Sequence, residues 1–233
     1  MNMKKSNTQT VFMRKIATLF LLSAALILPM QTTEPSQSRT YVFETKEIFL
    51  TFDDGPTDST TPYILDTLKK ENVPATFFVI GRQIKGRENI LKRIADDGHA
   101  IGIHSFSHKY AEIYSNEKTL LTDIEKCREA IRSVLPGFDG NLYRFPGGSF
   151  MCPQLRECVK SAGYRYYDWN AALGDAEGNF TADQLFRNAV ETSGDKNHIV
   201  LLLHDGVGYK ETCKALPDII RYFKTKSYQF KTL

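Results

Sequence analysis

Two adjacent carboxylates, Asp53 and Asp54, close the apolar run Ile48-Phe49-Leu50-Thr51-Phe52. A second apolar run ends in His104, and His108 follows four positions on. A buried strand that finishes in two like charges is costly unless a cation or hydrogen bonds compensate. One Asp with two His is a three-ligand set for a catalytic zinc-type ion, with one coordination position left open for water. The other Asp then stands free beside the ion, where a general base is wanted. These residue types at this spacing point to hydrolytic metal chemistry.

Gly55-Pro56 turns the chain and presents both acids at the strand end. A capping turn would account for one Asp but does not require two. Two unrelated histidines would be the ordinary reading of a lone His104/His108 pair. Three of the chain's five histidines, however, fall at or just after apolar runs: His104, His108 and His204. Arg144, Asp168 and Asp205 sit in equivalent places, so five of six candidate strands deliver a polar group at their carboxyl ends. That is where α/β sheets place their active sites.

The elements that must carry these groups alternate. Strands are expected over 47–52, 75–80, 99–104, 142–145, 165–169 and 199–204. Helices are expected over 61–71, 88–97, 117–134, 153–162, 182–193 and 213–226. The strand runs are apolar on both faces, as parallel strands under helices should be. Repeated βα units of this length imply an α/β barrel or a doubly wound sheet. Residues 1–30 carry four basic residues ahead of an apolar stretch from Ile16 to Leu28, a secretory signal or an uncleaved signal anchor. Either places the rest outside the cytoplasm. Residues 31–45 read as a linker and 46–233 as one domain. Without residues 1–30 the formal charge falls from +3 to −1, which gives no support for nucleic-acid binding.

Cys127, Cys152, Cys158 and Cys213 lack zinc-finger spacing. An exported chain could pair Cys152 with Cys158, and none of the four lies beside an activating His. Phe77 and Phe78 read as core, and Tyr164, Tyr166 and Tyr167 mainly as packing. His99 and His198 open strands away from the rim. Asp205 suits a turn cap as well as catalysis, and the charges of 117–132 suit a solvated helix face.

Taken together, Thr51–Gly55 and His104–His108 resemble the first two motifs of the NodB-type polysaccharide deacetylases, carbohydrate esterase family four. Arg144-Phe145-Pro146-Gly147-Gly148 is similar to that family's third motif, the segment from Asp168 to Asp175 to its fourth, and Leu202-Leu203-His204-Asp205 to its fifth. The resemblance is in order and runs from about Glu47 to the C-terminus. It implies an irregular (β/α) barrel. By resemblance Asp54, His104 and His108 are the metal ligands, for Zn²⁺ first and Co²⁺ second. Asp53 is then the general base and His204 the general acid that protonates the departing amine. Arg144 orients the base, Asp175 holds the acid imidazole, and Leu202 walls the acetyl methyl.

Two positions depart from the family pattern. Gly147 stands where an aromatic side chain is usual; its backbone N–H can still serve the oxyanion, but a wider or differently shaped groove is expected. Ala176 follows Asp175 where Trp is usual, and Trp169 lies six positions before Asp175. The implied activity is removal of N-acetyl groups from an extracellular polysaccharide, with peptidoglycan N-acetylglucosamine foremost. Chitooligosaccharides and O-acetylated xylan are alternatives, and a non-catalytic wall-binding protein is the rival of another class. A monomer is expected, membrane-associated only through the N-terminal segment.

Overall fold

The computed structural model describes residues 45–233; the expected targeting segment and nearly all of the linker lie outside the described residues. Among the described residues eight strands form one parallel sheet: β1 (Glu47–Asp53), β2 (Thr76–Val79), β3 (Ala100–Ile103), β4 (Leu142–Tyr143), β5 (Arg165–Tyr166), β6 (Ala171–Ala172), β7 (His198–His204) and β8 (Gln229–Phe230). Their spatial order is β5-β4-β3-β2-β1-β7-β6. β8 pairs with Glu47 and Ile48 on β1, whereas β2 pairs farther along that strand, at Thr51 to Asp53. Among the described residues no ladder joins β5 to β6. The sheet is a curled half-barrel, and in that sense the expected barrel is irregular.

The helices are α1 (Thr61–Glu71), α2 (Gly81–Ile84), α3 (Glu88–Asp96), α4 (Tyr110–Ile113), α5 (Glu117–Arg132), α6 (Arg156–Ser161), α7 (Ala182–Ser193) and α8 (Lys210–Thr225). Each longer helix buries one stripe. On α1 it is Thr61, Ile64, Leu65 and Leu68, the i, i+3, i+4, i+7 pattern of a helix lying on a sheet. α7 opens with a capping box between Thr181 and Gln184, which satisfies N–H groups that the first turn leaves unpaired. Among the described residues no helix is long and apolar enough to cross a membrane.

Strand alternation sorts the side chains into two layers. Ile48, Leu50 and Phe52 of β1 join Phe77, Val79, Ile103, Ile199, Leu201 and Leu203 in the hydrophobic core. Each such fully buried side chain contributes about 1.5–3 kcal/mol. Thr51 and Asp53 take the opposite face. Parallel register sets Thr51 beside Thr76 and Leu202, and Asp53 beside Phe78 and His204. An acid and an imidazole 151 positions apart are thus made neighbours by backbone pairing alone.

Candidate active site

Asp54, His104 and His108 each turn one ligand atom toward the others, all within 4.8 Å. Three non-glycine residues in or beside this group, Asp54, Ser105 and His108, adopt positive φ of 79°, 72° and 55°, a conformation that needs support from its surroundings. Asp123 of α5 supplies it. Its carboxylate accepts from the Ser105 hydroxyl, from Phe106 N–H at 2.8 Å and from Ser107 N–H at 3.1 Å. The Ser105 hydroxyl in turn accepts from His108 N–H at 2.8 Å. Asp123 is buried, so the expectation that the charges of α5 form a solvated face fails at this position. It falls in the stripe Leu120, Asp123, Ile124, Cys127, Ile131, and an acid inside an apolar stripe was the available signal.

The donor set fits a divalent ion. His104 donates its Nδ1–H to the Arg144 carbonyl at 3.0 Å, leaving the Nε2 lone pair aimed at the acids. Burial, only partly opposed by Asp54, pushes His104 down to about 3, so the imidazole is neutral, as a ligand must be. Asp54 Oδ1 is buried with no hydrogen-bond partner, yet lies 3.3 Å from His108 Nε2 and 3.6 Å from His104 Nε2. An orphaned carboxylate oxygen facing two imidazole nitrogens is the arrangement a cation completes.

Asp53 is held differently. Its Oδ1 accepts from Arg144 Nη1 at 3.0 Å. Arg144 is completely buried; it also donates to Thr51 Oγ1 at 2.7 Å and to the Tyr167 carbonyl at 2.9 Å, and lies over the Phe78 ring at 4.3 Å. Burial raises the Asp53 carboxyl above its usual range despite the opposing pull of Arg144 and His204. Arg144 therefore aims a carboxylate that is more basic than a free one, which suits a proton acceptor.

Opposite stands His204. Its Nδ1 donates to Asp175 Oδ1 at 2.8 Å, while Asp175 Oδ2 accepts from His204 N–H at 2.9 Å and from Thr212 Oγ1 at 2.8 Å. Burial alone would lower this imidazole, but Asp175, helped by Asp53 and Asp54, raises it to about 9. It is an imidazolium at neutral pH. Tyr209 stacks on it, with centroids 5.1 Å apart and planes at 17°.

Asp53, Asp54, His104, His108, Asp175, His204 and Tyr209 line one cleft with Leu202, Gly147 and Trp169. At Gly147 another side chain supplies the wall. A Cβ built there would meet Tyr110 Cε2 and Oη at 3.1 Å, so a ring from α4 already fills the space that the missing side chain vacates. Tyr110 packs beside His108, and Tyr114 donates to the Pro146 carbonyl at 2.7 Å, locking α4 to this turn. Tyr110, Tyr209 and Thr212 were not singled out from the sequence, although Tyr110 stands two positions after His108 and Tyr209 five after His204, and that adjacency was the available signal. Trp169 does reach the cleft. Asp168 instead binds Ser149, and Asp205 is a buried structural acid that accepts from Thr61 Oγ1 at 2.7 Å. His99 accepts from Ala75 N–H and His198 is exposed, both away from the site. All four cysteines are free thiols.

The sequence model of the polysaccharide deacetylase family matches residues 41–167. A peptidoglycan-N-acetylglucosamine deacetylase of Bacillus cereus is 32% identical over 195 residues, covering 81% of this chain and 69% of that one. A peptidoglycan-N-acetylmuramic acid deacetylase of Bacillus subtilis is 32% identical over 202 residues, covering 83% and 73%. The solved structure of a Streptococcus mutans CE4 esterase superposes with a TM-score of 0.77 at 35% identity, covering 81% of this chain and 86% of that one.

Proposed function

The chain belongs to the polysaccharide deacetylase family, and on that premise we propose that it hydrolyses N-acetyl groups of an extracellular polysaccharide, with peptidoglycan N-acetylglucosamine as substrate. The observation that carries the reading is the pairing of opposite proton demands across one metal-fitting triad: a raised carboxylate on Arg144 and an imidazolium on Asp175. The names of the relatives support the substrate class.

Asp54, His104 and His108 would hold the divalent ion, for which nitrogen and carboxylate donors favour zinc. Such an ion, when bound, makes water a nucleophile near neutral pH and polarises a carbonyl. Asp53 takes a proton from the attacking water, and Arg144 keeps its Oδ1 fixed while Oδ2 lies 3.7 Å from His104 Nε2. His204 delivers a proton to the departing nitrogen, without which an amine anion would have to leave. The amide C–N bond breaks, acetate and a free amine result, and the two proton transfers balance. Each transfer is worth roughly 10²–10⁴-fold. The Gly147 N–H donates to the developing oxyanion, and Leu202 packs against the acetyl methyl.

The test is acetate release from N-acetylglucosamine polymers by the full chain with added Zn²⁺ or Co²⁺. No release with either metal sinks the proposal. Mass spectrometry of treated peptidoglycan fragments then assigns the lost acetyl to glucosamine or to muramic acid, the alternative that the Bacillus subtilis relative keeps open.

A further inference from the structure

Beside the cleft the chain exposes an apolar surface that the reaction leaves unused. Phe150 and Met151, in the 3-10 turn Ser149–Met151, are 60% and 55% exposed, whereas both residue types are usually buried. The Phe150 ring stands edge to face with Trp169, centroids 6.0 Å apart and planes at 73°. Trp169 lines the cleft, so the patch is continuous with it through one aromatic contact.

The turn that presents Phe150 is fastened from three sides. Asp168 accepts from Ser149 N–H at 2.8 Å and from its hydroxyl. Arg156 Nε donates to the Ser149 carbonyl at 3.0 Å. The Phe150 ring covers Gly148, at φ 91°, where a Cβ would meet ring atoms at 2.3–2.9 Å. Any side chain at 148 would push the ring away. An exposed ring packed over a glycine, on a turn that an acid and an arginine fasten at Ser149, is preorganised, and preorganisation is what a binding surface gains from.

The cleft itself holds about 350 Å³, near the lower end of the ~300–1,000 Å³ typical of ligand sites. That is room for one amino sugar, so the neighbouring units of a polymer must run over the adjoining surface. A pyranose ring has an apolar C–H face and a polar rim. It can stack on an aromatic ring while its hydroxyls stay in water, which matches a half-exposed Phe150.

We propose that Phe150, Met151 and Trp169 form a further subsite that receives the pyranose ring next to the reacting sugar in the same glycan chain. The proposal rests on the deacetylase reading above. Its test measures kcat/KM of the full chain with Zn²⁺ on N-acetylglucosamine and its oligomers, from one to six units. Phe150→Ala lowers the dimer-to-monomer and hexamer-to-monomer ratios of kcat/KM about three- to tenfold, mainly through KM, and Phe150→Tyr retains them. An unchanged ratio overturns the proposal, and so does an equal loss at every length, which marks a merely structural role. The fluorescence of Trp169, the chain's single tryptophan, reads binding without turnover. If wild-type protein hydrolyses no oligomer, the deacetylase reading fails, yet this titration still decides the subsite. Hexamer binding that is absent, or indifferent to Phe150→Ala, overturns it.

Discussion

Replacing Asp175 with Asn removes the charge that makes His204 an imidazolium. In the intact protein His204 is raised from 6.5 to about 9, with burial working against the rise. Without the Asp175 carboxylate, burial is opposed only by Asp53 and Asp54, and the imidazole should titrate back at about 6.5. At pH 8 about nine-tenths of His204 is protonated in the wild type against roughly 3% in the variant, so protonation alone lowers kcat about 30-fold. At pH 6 the same factor is below about twofold, leaving only the pH-independent cost of a misdirected ring. The profile of kcat between pH 5 and 10, paired with an NMR titration of the His204 ring, checks this: the alkaline limb moves from near 9 to about 6.5. Linkage adds a second readout. A folded-state value above the free one contributes stability that is full below pH 6.5 and lost as pH rises through about 9. That contribution is of order 3 kcal/mol. Asp175→Asn should therefore be most destabilised in mild acid and approach the wild type above pH 9. Coincident alkaline limbs, with His204 titrating alike in both proteins, would refute the reasoning.

The two adjacent acids should separate by phenotype: Asp53→Asn keeps Zn²⁺ binding by calorimetry and loses about 10²–10⁴-fold in kcat, whereas Asp54→Asn loses Zn²⁺ binding itself. Asp123→Ala touches no ligand, yet it frees the Ser105–Ser107 turn and should weaken Zn²⁺ binding about 10–100-fold in the same calorimeter. Gly55→Ala would place a Cβ 2.0 Å from Asp205 Oδ2; overpacking here should lower the urea midpoint, with m unchanged, by the equivalent of about 1–3 kcal/mol.

Elements with their own periodicity were legible from the sequence. β1, α1 and α7 match their expected spans to within a residue, because a continuous apolar run and a helical stripe of apolar residues are both local. β6 and β8 were not legible. Each is two residues long, and Ala171-Ala172 has no run to reveal it. β6 exists because Asn170 next to it is spliced into the edge of β7, accepting from Val200 N–H at 2.9 Å and donating to the His198 carbonyl at 2.9 Å. Helices α2 and α4 are single turns with no stripe to read.

The sequence by itself determined which residue types could meet and where along each strand they would stand. The doublet Asp53-Asp54, the pair His104/His108 and the strand-end His204 are local signals, since ligand spacing and strand endings are local properties. Only the tertiary structure decided what each group experiences. Asp53 and Asp54 are adjacent in sequence, yet one is pinned to a fully buried arginine 91 positions away and the other is left facing two imidazoles. Gly147 announced a gap, and Tyr110 closed it from another element. Asp123 looked like surface charge and proved to be the buried anchor of the histidine turn. Burial and long-range hydrogen bonds set protonation, shape and rigidity, and those depend on what packs across the sheet, which no local window of residues contains.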